Sequence, residues 1–176
     1  MNNYFAMMSR MKYIDRWALM RNTRAENLSE HSLEVSMIAH ALAILGNTYL
    51  GKDLNAERAA VLGLYHDATE IITGDMPTPI KYYNPEIRHT YQDIEEKAGQ
   101  TLLSMLPEEM RVSYERLFTR QDEDAYLWKL VKAADKLSAY IKCIEEEGTG
   151  NREFVRARET TLKQLHALDV EEAGLF

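Results

Sequence analysis

The stretch Gly63-Leu64-Tyr65-His66-Asp67-Ala68-Thr69-Glu70 (GLYHDATE) ends an apolar segment with one imidazole and two carboxylates. Apolar side chains recur at helical spacing before it, so we predict a helix from Ala56, capped by Asn55, to about Ile72. Two explanations fit polar groups at the end of such a helix. Either the apolar segment simply stops there, or these groups meet others at a site that needs nitrogen and oxygen ligands together.

Helical periodicity dominates the rest of the chain, and no sustained alternation of apolar and polar residues indicates a sheet. A capping box at 27–30 predicts a helix to about Leu45, followed by a loop between Gly46 and Gly51. The apolar face expected for this helix contains Leu33, Met37, Ile38, Ala41 and Leu45.

The remaining helices are predicted from the same periodicity and from capping and breaking residues. Thr73–Pro79 contains one glycine and two prolines, which predicts a structured loop rather than a helix. The other helices are expected at about residues 3–13, 85–106, 107–118, 125–147 and 152–168. We therefore expect a single all-α domain over residues 1–176, without repeats or a linker.

Composition limits the classes of function. The chain has 176 residues, of which 45% are hydrophobic and 28% charged, as is typical of a globular domain. We find no membrane-spanning segment and no secretory signal, and Cys143 is the only cysteine. These features indicate a cytoplasmic protein with no membrane partner.

Charge argues against a nucleic acid polymer as the partner. The net charge is −7, whereas binding a long phosphate backbone needs a basic face. Cations nevertheless concentrate near the N-terminus, where a single acid, Asp15, accompanies Arg10, Lys12, Arg16, Arg21 and Arg24. Such a patch suits a small anionic ligand, although a solvated helix face would have the same composition.

Two histidines and two aspartates form a candidate metal site. His31 lies in the first turn of its helix, His66 and Asp67 near the end of the next, and Asp135 interrupts the apolar pattern of the long helix. A buried carboxylate is costly unless a cation neutralises it, and mixed nitrogen and oxygen ligands suit a divalent transition metal. Each residue also has a simpler reading: a histidine at the edge of the core, or Asp135 paired with Lys132 or Lys136.

Further residues could serve chemistry beside that site. Glu70 lies where a carboxylate could move a proton, and Asp75 could contact substrate hydroxyls; a solvated helix end and a plain turn are the alternatives. Arg16 could bind phosphate with two N–H groups while Trp17 packs on a sugar or base, although Trp17 could equally belong to the core. We read His40, His89 and His166 as structural or solvated.

Taken together, H…HD…D resembles the pattern of the HD-domain phosphohydrolases. The similarity extends to SRMKYIDRWALMRNTRAENLSEHSLEV, LYHDATEIITGDMPTPIKYYN and LVKAADKLSAYIKCIEE, which resemble bacterial 5′-deoxynucleotidases of the YfbR type. These motifs occur in the same order and cover the chain from about Phe5 to Phe154. The resemblance implies an HD-type bundle of about six or seven helices and a homodimer.

The resemblance also implies site roles. One divalent metal (cobalt or manganese, or zinc, nickel, iron or copper) would be held by His31, His66, Asp67 and Asp135. Glu70, Arg16 and Asp75 would be catalytic, with Arg16 orienting the phosphate. Trp17 would pack on the sugar and disfavour a 2′-hydroxyl. The remaining substrate contacts would come from His31, Asp67, Asp75, Met76, Pro77, Thr78 and Asp135.

The implied activity is metal-dependent hydrolysis of deoxyribonucleoside 5′-monophosphates to deoxynucleoside and phosphate. A related phosphohydrolase acting on nucleoside triphosphates or a signalling nucleotide is one alternative. A single arginine near the ligand set favours the monophosphate, because longer phosphate chains usually require more cations. A non-catalytic nucleotide-binding relative is the alternative from another class.

Overall fold

The computed structural model describes residues 3–81 and 83–176, and within them the protein is all-helical. Asp15 and Asn27 form an isolated β-bridge, the only extended pairing in this part of the chain. Six helices of the described residues have ten residues or more, which confirms the predicted class and number. They are α2 (Leu28–Tyr49), α3 (Ala56–Tyr65), α6 (Pro85–Ser104), α7 (Glu108–Phe118), α8 (Ala125–Gly148) and α9 (Val155–Ala167).

Four shorter helices complete the described part of the chain: α1 (Tyr4–Met8), α4 (Glu70–Thr73), α5 (Thr78–Lys81) and α10 (Glu171–Leu175). Short 3-10 turns follow α1 and precede α8 and α9. No helix of the described residues is long and apolar enough to cross a membrane.

The core is built on α2, which packs against both α3 and α8. Its buried face repeats every three or four residues, as an amphipathic helix requires, and includes His31, Val35, Ile38 and Leu42. The predicted face was wrong for Leu33 and Met37, which are 54% and 59% exposed. The reason is that polar His31 belongs to the buried stripe, which places the stripe on a different side of the helix.

The predicted helix starts are confirmed where side chains cap them. Asn27 Oδ1 accepts from the backbone N–H of Ser29 and Glu30, and Glu30 returns a hydrogen bond to the Asn27 amide. Asn55 likewise caps α3, and Asn84 caps α6 just before Pro85. These caps satisfy amide groups that the first turn of a helix leaves without partners.

The end predicted for α2 was wrong. The helix continues through Gly46 to Tyr49, because Gly46 serves close packing and not termination. A Cβ at Gly46 would lie 2.8 Å from Glu172 Oε1 and 2.9 Å from Leu54 Cδ1. The loop starts later, where Gly51 adopts a φ of 66° that disfavours other residues.

The end predicted for α3 was also wrong, and this difference shapes the site. The helix stops at Tyr65 instead of continuing to Ile72. The His66 Nδ1 atom donates to the Gly63 carbonyl at 2.7 Å and so takes the acceptor that the helix would offer to the Asp67 amide. Residues 66–69 form turns, and the chain resumes a helix at Glu70.

The predicted loop Thr73–Pro79 is partly helical. Gly74 ends α4 with a φ of 74°, but α5 begins at Thr78 and includes Pro79. A proline is tolerated there because the first-turn amides of a helix have no acceptor within it. This compact segment, together with α4, packs against α6.

Close contact between α2 and α3 depends on Gly63. A Cβ at Gly63 would lie 3.0 Å from Ser36 Cα and 3.1 Å from Val35 O, which are backbone atoms that cannot move aside. We expect Gly63→Val to lower the free energy of unfolding by about 2 kcal/mol or more, measured by urea denaturation. Gly148→Val is the matched control, since a Cβ at Gly148 meets nothing within 4 Å. Equal effects of the two substitutions would contradict this packing.

Candidate metal and active site

The structure brings the four predicted metal ligands together. His31 lies on α2, His66 and Asp67 in the turn after α3, and Asp135 on α8. One potential ligand atom from each residue lies within 4.8 Å of all the others. The cluster therefore joins three elements that are far apart in the sequence.

The orientation of His31 is set by hydrogen bonds behind it. Its Nδ1 lies 3.0 Å from Ser138 Oγ, and the Ser138 hydroxyl donates to Glu34 Oε2 at 2.7 Å. Because that hydroxyl proton is already used, Ser138 Oγ accepts from His31 Nδ1–H. The Nε2 atom is thereby turned toward the cluster, 3.2 Å from Asp135 Oδ1 and 3.6 Å from Asp67 Oδ2.

His66 is oriented in the same manner by a backbone group. The hydrogen bond from its Nδ1 to the Gly63 carbonyl directs Nε2 to within 3.0 Å of Asp67 Oδ2. The Nε2 atoms of both histidines are buried and form no hydrogen bond of acceptable geometry with any residue that the structure describes. Buried polar atoms of this kind need a partner, and a set of two imidazoles and two carboxylates fits a divalent transition metal.

The charged groups of the cluster shift one another's pKa values. Burial and Arg16 lower the pKa of His31, but Asp135, Asp67 and Glu26 outweigh them and raise it to about 10. Burial raises the pKa of Asp67, but the two histidines hold it well below its usual value. A ligating imidazole must be neutral, so metal binding here would release a proton from His31.

Glu70 is the buried carboxyl group beside the cluster. It is 5% exposed, and its Oε2 atom has no hydrogen-bond partner among the described residues. Burial, followed by the charges of Asp67 and Asp75, raises the pKa of Glu70 to about 9. A carboxyl group that holds a proton near neutral pH is suited to act as a general acid.

Arg16 is a buried cation at the edge of the cluster. Its Nη1 atom lies 3.5 Å from Asp67 Oδ2, and its Nε atom forms an ion pair with Glu26 Oε1 at 3.1 Å. Burial lowers the pKa of Arg16, but Asp135, Asp67 and other carboxylates outweigh this and raise it. The guanidinium is therefore fixed and charged next to the metal ligands, where it could contact a phosphate.

Trp17 follows Arg16 in a strained conformation. Its φ of 59° is a genuine outlier for a bulky residue, and such strain often occurs at functional positions. The indole Nε1 donates to Glu26 Oε2 at 2.9 Å, and the ring lies 5.3 Å from that of Phe154. Burial raises the pKa of Asp75, while Arg16 and the backbone N–H of Trp17 lower it in part, so Asp75 lies close to both residues.

The rest of the predicted substrate loop lies beside α6. Met76 and Pro77 are half-buried, whereas Thr78 is exposed at the start of α5. Met76 borders a shallow cavity of about 260 Å³ whose other walls are Ile80, Glu86, Ile87, Thr90, Tyr91 and Ile94. The substrate contacts of Met76, Pro77 and Thr78 remain predictions.

Several functional neighbours were missed from the sequence. Ser138 lies one turn after Asp135 and is fully buried, so the reasoning applied to Asp135 would have found it. Glu26 gives no comparable signal, because its partners come from a loop without periodicity. The remaining histidines, His40, His89 and His166, are exposed, as predicted.

Lysines add to the positive charge of the single arginine, Arg16, that was predicted near the ligands. Lys136 Nζ lies 2.8 Å from Asp135 Oδ2, which confirms the simpler pairing proposed for Asp135 without removing it from the cluster. Burial, followed by Arg120, Arg88 and Lys136, lowers the pKa of Lys132. Positive charge therefore extends beyond Arg16 on the α8 side of the site.

The raised pKa of Glu70 predicts that the stability of metal-free protein depends on pH. The folded state binds this proton more tightly than the unfolded chain, so its stability falls as pH rises from about 4.5 toward 9. We expect Glu70→Gln to raise the free energy of unfolding at pH 8 by more than about 1 kcal/mol, with little effect at pH 4. Urea denaturation in EDTA measures this difference.

The control for that experiment is Glu96→Gln, at an exposed position on α6. It should leave stability within about 0.5 kcal/mol at both pH values. A Glu70→Gln variant that is less stable than the parent at pH 8 would contradict the assigned environment of Glu70.

Comparison with known proteins agrees with this geometry. 5′-deoxynucleotidases of Yersinia pestis (strain Pestoides F) and Yersinia pseudotuberculosis serotype O:3 (strain YPIII) are each 52% identical to the protein over 176 residues. The alignments cover all of this chain and 89% of each relative.

Solved structures show the same fold at lower identity. An HD-domain phosphohydrolase from Listeria innocua has a TM-score of 0.87 at 24% identity, over 99% of this chain and 84% of that one. The cyanophage S-2L HD phosphohydrolase DatZ, bound to dA and one catalytic Zn²⁺ ion, has a TM-score of 0.65 at 21% identity, over 96% and 88%. The family model described as "5′-deoxynucleotidase YfbR-like" matches residues 3–176, and the chain belongs to that family.

Proposed function

We propose that the protein is a metal-dependent 5′-deoxynucleotidase, which hydrolyses deoxyribonucleoside 5′-monophosphates to deoxynucleoside and phosphate. Family membership supports the reaction class. The observation that carries the proposal is the arrangement of Arg16 3.5 Å from Asp67, a ligand-type carboxylate within the four-residue cluster. A phosphate placed there would meet a fixed guanidinium on one side and the metal position on the other.

The metal would be held by His31, His66, Asp67 and Asp135. When bound, it supplies a water of lowered pKa and neutralises charge on the phosphoryl oxygens. The donor set suits cobalt or manganese and also admits zinc, nickel, iron or copper. His31, Asp67 and Asp135 border the position of the phosphate and would contact it as well.

Arg16 and Glu70 would orient the phosphate and transfer a proton, respectively. Arg16 orients the phosphate and stabilises the charge on its oxygens in the transition state, which is the main requirement of phosphoryl transfer. Glu70 is buried beside the metal ligand Asp67, and burial raises its pKa, so it would give a proton to the leaving 5′-oxygen. Asp75, beside Arg16 and Trp17, would assist by contacting the sugar.

Two loops would recognise the nucleoside: the one that contains Trp17 and the one that contains Met76, Pro77 and Thr78. Trp17 would pack on the deoxyribose and leave no room for a 2′-hydroxyl. Met76, Pro77 and Thr78 would receive the rest of the nucleotide, with Thr78 donating to the phosphate. The cavity beside Met76 is lined mainly by apolar side chains, which supports a loose preference for the base because few polar groups there could read its edge.

A homodimer in the cytoplasm is the assembly and location that we propose. Exposed apolar side chains on α2 and α3, Leu33, Met37, Ile44, Val61 and Leu64, support a contact between copies. The chain has a single cysteine and so forms no intrachain disulfide, which fits a reducing compartment such as the cytoplasm. Light scattering of the purified protein would test the dimer by giving twice the mass of the 20.4 kDa chain.

Hydrolysis of a nucleoside triphosphate is the second candidate. The observation that favours it is the additional positive charge of Lys136, Lys132 and Arg120 beyond the metal ligands. Longer phosphate chains require such cations. The products separate the two candidates, because a triphosphatase releases tripolyphosphate from a deoxynucleoside triphosphate whereas a nucleotidase releases phosphate from the monophosphate.

The test is phosphate release from a panel of deoxy- and ribonucleoside 5′-monophosphates, with cobalt or manganese supplied. We expect turnover of several deoxyribonucleotides and weaker turnover of ribonucleotides. Glu70→Gln should reduce kcat by about 100-fold or more, because the proton-transfer group is lost, while cobalt binding measured by calorimetry is kept.

Glu96→Gln is the matched control and should keep the parental rate. Absence of turnover of every 5′-monophosphate with each metal would overturn the proposed function. Unchanged activity in Glu70→Gln would overturn the role of Glu70 alone.

A further inference from the structure

Glu26 contacts three groups at once, and each belongs to a different part of the proposed site. Its Oε1 atom lies 3.1 Å from Arg16 Nε and 3.4 Å from His31 Nδ1. Its Oε2 atom accepts from the indole Nε1 of Trp17 at 2.9 Å. One carboxylate thus touches the residues assigned to the phosphate, the metal and the sugar.

The backbone brings Glu26 to this position. The Arg16 amide donates to the Glu26 carbonyl at 2.9 Å, and Leu28 N–H donates to the Ile14 carbonyl at 2.9 Å. These two bonds pair the start and the end of the loop between Ile14 and Asn27, which we call the Arg16 loop. The side chain of Glu26 is 13% exposed, so its interactions are largely shielded from water.

Glu26 uses a different oxygen for each of its two partners in the Arg16 loop. Oε1 pairs with the Arg16 guanidinium, and Oε2 accepts from the Trp17 indole. The carboxylate thus holds Arg16 by charge and Trp17 by a hydrogen bond at the same time. A glutamine has a single acceptor oxygen and no charge, so it would lose the ion pair with Arg16.

Trp17 needs such a partner because its backbone is strained. A φ of 59° in a bulky residue costs of order 1–3 kcal/mol and persists only where the surroundings determine it. The Trp17 carbonyl accepts from Met20 N–H at 2.9 Å, which fixes the backbone but not the ring. The bond to Glu26 is the polar contact that sets the angle of the indole.

The far side of the Arg16 loop is held independently of Glu26. Glu146, which is buried on α8, accepts from Thr23 N–H at 2.9 Å and Arg24 N–H at 3.2 Å. Lys142 pairs with Glu146 and donates to the Arg24 carbonyl at 2.6 Å. A substitution at Glu26 should therefore leave the loop folded and change only the end that carries Arg16 and Trp17.

We propose that Glu26 is the positioning residue that fixes Arg16 and Trp17 relative to each other and so sets the preference for deoxyribose over ribose. This inference rests on the proposed function. With the guanidinium and the indole tied to one carboxylate, the distance between the phosphate and the sugar wall is constant. A 2′-hydroxyl then meets a ring that cannot move aside.

The first test measures the environment of the Trp17 indole and does not depend on catalysis. The chain has two tryptophans, Trp17 and Trp128, so two indole N–H resonances are expected in a ¹H–¹⁵N spectrum. In Glu26→Gln the Trp17 resonance should shift and lose protection from hydrogen exchange. The Trp128 resonance, whose Nε1 has no hydrogen-bond partner among the described residues, should stay in place.

The second test measures kcat/KM for a deoxyribonucleoside 5′-monophosphate and its ribo counterpart, with cobalt supplied. We expect Glu26→Gln to reduce the deoxy-to-ribo ratio by about tenfold, since a small displacement of positioning groups has effects of that size or more. Glu26→Asp keeps the charge but is too short to reach both partners, and it should restore the ratio only in part.

Glu153→Gln is the matched control. Glu153 also binds the Arg16 loop, through the Arg21 amide at 3.0 Å, but contacts neither Arg16 nor Trp17 among the described interactions. It should leave both resonances and the ratio unchanged. An unaltered ratio and an unaltered Trp17 resonance in Glu26→Gln would overturn the inference while the hydrolysis itself stands, whereas inactive parent protein would instead overturn the proposed function.

Discussion

Neutralisation of buried charge at the junction of α2, α3 and α8 is the constraint on which the structure depends. Asp67 and Asp135 come from different elements and approach the same point, and two like charges at this depth repel unless cations separate them. His31, Arg16 and Lys136 supply that positive charge. These cations offset the repulsion at the point where α2, α3 and α8 pack together, so the site lies at the edge of the core.

A second layer of hydrogen bonds orients the two histidine rings of the cluster. Ser138 and the Gly63 carbonyl hold the Nδ1 atoms of the two histidines, which leaves both Nε2 atoms facing the carboxylates. Orientation by outer partners is the usual arrangement around a ligating histidine. The same principle extends to Arg16 and Trp17, where the outer partner is Glu26. The site is therefore a set of side chains whose orientation is fixed by a surrounding layer of hydrogen bonds and ion pairs.

Much of the fold follows from local chemistry, which is why the sequence predicted it. Asn27, Asn55 and Asn84 cap their helices by contacts within three residues, so the capping pattern can be recognised from neighbouring positions in the sequence. Asp135, which breaks an apolar stripe, and His66 and Asp67, which follow one, were candidates for a metal site, and the resemblance to the HD-domain pattern gave the full ligand set. These signals come from single segments of the chain.

What the sequence did not predict depends on side-chain contacts that periodicity does not record, and most of them join distant segments. Gly46 lies within α2 and not at its end, because Glu172 packs over it. The end of α3 is decided by the His66 side chain, which competes for a backbone carbonyl in a way that periodicity does not record. Glu26 and Glu146 act on a loop without regular structure, so their partners could be identified only in three dimensions.

The central claim is that His31, His66, Asp67 and Asp135 bind one metal ion. Anomalous diffraction at the cobalt absorption edge, from crystals of cobalt-loaded protein, tests it most directly. We expect one strong peak at the cluster, with bonds of about 2.0–2.2 Å to an imidazole nitrogen or carboxylate oxygen of each residue. Cobalt bound only elsewhere, or a peak that excludes any of the four side chains, would contradict it.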